Sequence, residues 1–217
     1  MFLGHFAAAF AARRIARLPS LGWLVAACQL PDLLWPLFVF AGIERFRIDP
    51  GNTAFTPIAF DHYPWSHSLT MDVVWGALLG ALYLVLRRDT RGAIVIAILA
   101  VSHWVLDWIT HAPDLPLLPG SADKYGLALW NNVALTMALE IVVFGVGVWL
   151  YTSRTTSRDR IGSIGWLVFA AVLLLIQVAN AFSPPPPSVT AVAATALALW
   201  LFVPLAAWIG RHRTPLE

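Results

Sequence analysis

Cysteine is all but missing from this sequence. Cys28 has no intrachain partner, which excludes a disulfide-stapled fold. Charge is nearly as scarce: Asp, Glu, Lys and Arg make up 12% of the chain, about half the share usual in soluble domains. Lysine occurs once, at Lys124, so thirteen of the 14 basic residues are arginine. A formal net charge of +2 is too small to point to nucleic acid as a partner. No stretch is polar enough to hold a soluble domain, and no internal repeat is visible. What fills the chain instead is 59% hydrophobic residues, with 11 Trp, 12 Phe and a mean hydropathy of +0.73. These figures exclude disorder and predict an all-α polytopic membrane bundle, one integral membrane domain over residues 1–217.

A secretory signal places its positive charges ahead of its apolar run. Here the order is reversed: residues 1–12 are apolar, and Arg13, Arg14 and Arg17 follow. The segment is therefore expected to stay in the mature protein. It is too short to cross a bilayer, which takes about 20 apolar residues. An N-terminal half-helix packed against other helices is predicted. Six longer stretches qualify as spans, roughly residues 20–43, 67–86, 92–110, 127–151, 162–182 and 189–210. Pro31-Asp32 should break the first near its middle, and Pro36 adds a second kink. Gly76 and Gly80 form a small-xxx-small pair suited to close helix contact. Four consecutive prolines within Ser183–Ser188 predict a short polyproline II rod.

The arginines set the orientation. Eleven basic residues fall on one side of the six spans, while only Arg45, Arg47 and Lys124 fall on the other. Basic loops stay in the cytoplasm, so both termini are expected inside. The loops around 44–66, 110–126 and 183–188 are then outside.

Ionisable side chains in hydrocarbon cost at least about 2.5 kcal/mol each and mark pathways or sites. Asp32, Asp72, His103, Asp107 and Glu140 lie within spans, His67 begins one, His111 follows one, and His5 lies in the half-helix. At about 1.5 Å per helical residue, Asp32, Asp72, Asp107 and Glu140 all fall about 21–24 Å from the cytoplasmic arginines. His103 lies about 18 Å up and His67 about 30 Å. Four helices thus bring acids and imidazoles to one layer between the midplane and the outer surface. His103 and Asp107 are four residues apart, so they share a helix face, and His111 continues that line. An imidazole and a carboxylate in this register converge well on a metal. Pro64 should keep Tyr63 extended and leave His62 in a loop. His111 and Asp114 are expected to pair in the outer loop, and Asp72 and Glu140 to support ligating histidines.

The order Gly4-His5, Pro31-Asp32, His62-x4-His67-Ser68 and His103-x3-Asp107 resembles the bacterial inner-membrane family known as membrane-bound metal-dependent hydrolases. The resemblance covers about residues 4–115. Members carry His-Arg-Gly-x-Thr-His-Ser where this chain has His62 to Ser68, with Tyr63 for Arg and Pro64 for Gly. Leu129-Trp130-Asn131 looks like an outer cap of the same family.

The expected site is a divalent metal, zinc in the first instance, held among His5, Asp32, His62, His67, His103 and Asp107. Asp32 or Asp107 would act as ligand or general base. The expected activity is hydrolysis of a lipid or amphiphilic ester or phosphoester that arrives sideways from the membrane. A proton- or metal-coupled transporter is the rival reading, since carriers also place acids and histidines on broken helices. An accessory subunit with a purely structural polar cluster is the third. The sequence names no protein partner.

Overall fold

The computed structural model describes residues 1–216. The chain opens with α1 (Leu3–Ala12). Next come α2 (Leu21–Cys28) and α3 (Leu30–Phe40), which meet at 57° and together make one bent span. A hairpin follows, β1 (Arg45–Ile48) antiparallel to β2 (Ile58–His62), leading into the single turn α4 (Pro64–His67). Two long spans, α5 (Leu69–Arg87) and α6 (Thr90–Thr110), run back to back. The two-strand ribbon of β3 (Leu115–Pro116) and β4 (Lys124–Tyr125) and a 3-10 turn at Leu129–Asn131 lead to α7 (Val133–Ser153). β5 (Thr155–Ser157) precedes α8 (Trp166–Phe182), whose span begins in a π turn at Ile161–Gly165. The last span is α9 (Val189–Ala196) continued by α10 (Leu199–Arg211), and β6 (Arg213–Pro215) pairs back on β5.

Five helices, or six with the bent pair, are long and apolar enough to cross a membrane. They match the six expected stretches, with corrections that have local causes. The break in the first span falls at Gln29, ahead of the Pro31-Asp32 step. Pro31 has no N–H to return to Ala27, so the helix ends there and a new one starts with Pro31 in its first turn. α3 then continues through Pro36. The fourth span starts at Val133 and not near 127, because the Asn132 side chain accepts from Leu135 N (3.0 Å) and caps it. Residues 44–66, expected to be irregular, instead form the hairpin, and His62 sits in β2 opposite Arg45.

Polar residues stop and start the spans. Ser68, Asp89 and Ser188 cap the helices that follow them. Arg88 takes the left-handed conformation (φ 54°) that lets α5 turn into α6 within two residues. Glycines set the closest approaches. A Cβ on Gly76 or Gly80 would lie 2.7 or 2.8 Å from the Ala97 or Ala93 carbonyl of α6, so the small-xxx-small pair is the α5–α6 seam.

The half-helix α1 is enclosed by the bundle. Leu3, His5, Phe6, Ala9 and Phe10 are fully buried, and α1 packs on α7, α2 and α6. Its composition explains this: a helix apolar on every face is stable only when surrounded. Phe10 meets Trp166 edge to face at 4.8 Å and lies near Phe144 and Tyr151. The contact with α7 leaves no room for a side chain at Gly147, where a Cβ would stand 2.6 Å from Ala7 Cα. Gly145, on the same helix, has open space. Gly147→Leu is therefore expected to destabilise the protein by about 1–3 kcal/mol and Gly145→Leu by no more than about 0.5 kcal/mol. Thermal unfolding of the two variants in micelles measures the difference.

Candidate metal centre

Asp107 is the hub of the polar layer. Its carboxylate is buried on α6, 3.2 Å (Oδ2) from His103 Nε2, 3.6 Å from His111 Nε2 and 4.0 Å from His67 Nε2. Its other oxygen, Oδ1, lies 3.0 Å from His5 Nε2 and is ion-paired with the Met1 α-amino group. Asp32, from the first turn of α3, approaches from the opposite side. Its Oδ1 is 3.4 Å from His67 Nε2 and 3.8 Å from His103 Nε2. Ligand atoms from His5, His103 and Asp107 lie within 4.8 Å of one another, as do those from Asp32, His67 and His103. Bonds of about 2 Å can close that spread with small side-chain shifts.

The outward nitrogens settle which way each ring is protonated. His103 Nδ1 is 2.7 Å from the Cys28 carbonyl, which α2 leaves free at its broken end. A carbonyl only accepts, so Nδ1 carries a proton, and in the neutral ring Nε2 is the nitrogen left with a lone pair. Ser66 Oγ donates to Glu44 Oε2 (2.7 Å) and so accepts from His67 Nδ1 (2.6 Å). His111 Nδ1 donates to Asp114 Oδ1 (3.0 Å), which also accepts from the Tyr63 hydroxyl (2.6 Å). Three imidazoles thus aim their Nε2 atoms at two carboxylates, and with neutral rings acceptors would face acceptors. Such a centre needs a cation, either protons on the rings or one shared metal ion. His103 Nε2 is fully buried and without a hydrogen-bond partner among the described residues. The donor set of imidazole nitrogens and carboxylate oxygens suits zinc, and the outward partners are those that orient metal-binding histidines.

His5 lacks such an anchor. Its Nδ1 is buried and unpartnered, and its ring stacks on His103 at 3.7 Å. Glu140 fixes its position indirectly, accepting from Phe2 N (2.9 Å) and Leu3 N (2.6 Å) at the start of α1. Glu140 therefore holds a helix terminus and not, as expected, a histidine ring. Asp72 is buried with both oxygens unpartnered among the described residues, so it supports no ligating histidine either. His62 stays out of the centre on the half-buried hairpin. His111 makes the expected bond to Asp114 and, continuing the line of His103 and Asp107, also faces Asp107. The tail residue His212 pairs with Asp159 at the arginine-rich end (2.6 Å).

Several contributors lay hidden in the sequence. Glu44 follows the first span directly, and its carboxylate accepts from Trp65 N and Ser66 N (2.9 and 2.8 Å), capping α4. Burial raises the Glu44 carboxyl above its ordinary range, against the opposing pull of the Ser66 hydrogen bonds. Burial, reinforced by Asp114, likewise raises the Tyr63 phenol. Trp130, in the 3-10 turn, lies over His111 with ring centres 4.0 Å apart, and its carbonyl accepts from Phe55 N (2.9 Å). The hairpin and this turn therefore roof the centre.

Glu140→Ala leaves the buried Phe2 and Leu3 N–H groups without a partner and is expected to cost about 1–3 kcal/mol. Glu140→Gln keeps an acceptor and should cost less. Denaturant unfolding in micelles compares the two.

A family model described as YdjM inner membrane protein matches residues 1–183. No curated protein and no solved structure matches the chain. The matched region contains α1 to α8 and every residue of the polar centre. The chain belongs to the YdjM inner membrane protein family.

Proposed function

We propose that this inner-membrane protein is a metal-dependent hydrolase, with zinc the expected ion, acting on an ester or phosphoester of a lipid or amphiphile. The observation that carries the reading is the convergence of three imidazole Nε2 atoms on two carboxylates, with Asp32, His67, Asp107 and His111 lining a cavity. That cavity has a volume of about 550 Å³, within the range of ligand pockets. His103 and Asp107 would hold the ion, joined by His5 or by His67, with Asp32 and His111 at its margin. Bound there, a zinc ion supplies a Lewis acid and lowers the pKa of water.

The chain's own groups divide the remaining work. Asp107, 2% exposed, is suited to ligation. Asp32 is 26% exposed and lines the cavity, so it is suited to take a proton from an attacking water and return it to the leaving group. Glu44 through Ser66, and Asp114, hold the His67 and His111 rings in the required tautomer. We place both termini in the cytoplasm, on the strength of the arginine distribution, so the cavity serves the outer half of the membrane.

Below the centre, toward the arginine-rich end, Phe6, Phe10, Leu24 and Ile96 are fully buried and packed together, so the site meets the cavity on one side and packed apolar core on the other.

Metal analysis of the purified protein tests the reading. Stoichiometric zinc that survives washing is expected, absent in His103→Ala and Asp107→Ala, and bound 10–100-fold more weakly in Ser66→Ala. A chelator should then lower wild-type stability, by about 4 kcal/mol where free metal had stood at a thousand times its Kd, and leave the two alanine variants unchanged. Asp32→Asn should retain metal and lose about 10²–10⁴-fold in ester turnover. Wild type and alanine variants that respond alike to the chelator would make the cluster a helix clamp held by protons.

A further inference from the structure

α8 is apolar over its length except for two amides, Gln177 and Asn180, three residues apart and so on one face. Both line the cavity that reaches Asp32, His67, Asp107 and His111. Gln177 is 1% exposed, and its side-chain nitrogen has no hydrogen-bond partner among the described residues. An unpaired amide donor in an apolar span costs about 1–3 kcal/mol. A ligand that brings an acceptor oxygen would offset that cost.

The walls narrow the ligand. No Lys or Arg lines the cavity, whereas Asp32, Asp107 and Glu140 do. Phosphate groups are usually gripped by guanidinium or ammonium groups; the Met1 α-amino group at the cavity is already ion-paired with Asp107, and the wall away from the metal ligands offers neutral amides and hydroxyls. Ile176, Val192, Leu199 and Phe202 supply apolar surface. Two separately supported helices line it. α8 leans on α7 and α1, while α9, next in the chain, leans on α3 and β1. The cavity lies between these two supports, and both α8 and α9–α10 are membrane spans.

The geometry points to a neutral acyl-ester lipid as the occupant, its chains between α8 and α9 and an ester carbonyl accepting from the Gln177 amide. This deepens the hydrolase reading and rests on it for turnover, but the binding it describes needs no metal. Gln177 is a specificity-determining residue in this scheme, since it separates a carbonyl-bearing ligand from one of equal shape without it.

The test compares a short-chain diacylglycerol with the dialkyl ether of the same length, which lacks both carbonyls, by native mass spectrometry of the full chain in micelles. Measurements are made on the protein as purified and again in EDTA. We expect the diester to bind about threefold to tenfold more tightly than the diether in both conditions, as one hydrogen bond supplies. Gln177→Met should abolish that preference while still binding the diether as wild type does. Equal affinity of wild type for diester and diether overturns the proposal, and this arm needs no variant to fold. Tighter binding of the matching phosphatidic acid than of the diacylglycerol overturns it too. Loss of zinc or turnover with the ester preference intact would instead count against the hydrolase reading alone.

Discussion

Hydrocarbon gives Asp107 no water to share its charge with, and much of the structure follows from supplying that carboxylate with partners. Its two oxygens face opposite ways. One meets the Met1 amine and His5, the other His103, His67 and His111. The partners arrive on three pieces of chain, so the requirement of a single buried acid ties together α1, α4 and both ends of the polar stretch of α6. Every recruited group makes its own demands. His103 needs the carbonyl left free at the broken end of α2, His67 needs Ser66 and Glu44, and α1 needs Glu140 at its N-terminus. In a medium where each unpaired polar group costs several kcal/mol, these demands fix the bundle more sharply than apolar packing between lipid-like surfaces does.

The sequence was most legible where one physical signal stood alone. Span lengths follow from apolar run lengths, so six crossings and a buried half-helix could be read without coordinates. The His103–Asp107 register follows from helical periodicity, and the equal depth of Asp32 follows from the rise per residue. Legibility failed where partners come from distant segments. Nothing local distinguishes Glu44 from an interfacial acid or Glu140 from a histidine's support, because both act on backbone N–H groups brought up by other helices. His62 and His67 look alike in the chain, yet a hairpin turns the first away and one turn of helix carries the second inward. His111 was masked by its nearer partner Asp114. Gln177, a lone amide in a long apolar run, offered a signal that charge-based reading passed over.

The two ends of the bundle are built differently. At the hairpin end, irregular chain is roofed over the centre by aromatic contacts, Trp130 on His111 and Phe60 on Tyr63 at 4.8 Å. At the arginine-rich end, a short ribbon of β5 and β6 is closed by the Arg213 guanidinium, which donates to the Thr155 hydroxyl and carbonyl and to the Gly162 carbonyl. The first arrangement leaves a volume below it. The second seals, locking the chain's last described strand beneath Trp166 and Tyr151.

The enclosure of α1 has a consequence for the order of assembly. Its longest contact is with α7, whose residues leave the ribosome well over a hundred positions later. At bacterial and eukaryotic elongation speeds of about 5–20 residues per second, that interval is roughly 7–30 seconds. Until α7 is in place, α1 has its walls on α2 and α6 but lacks the third. The enclosure of α1, and with it the seat of His5 against Asp107, therefore closes late, after the helices between α1 and α7 in the chain have been made.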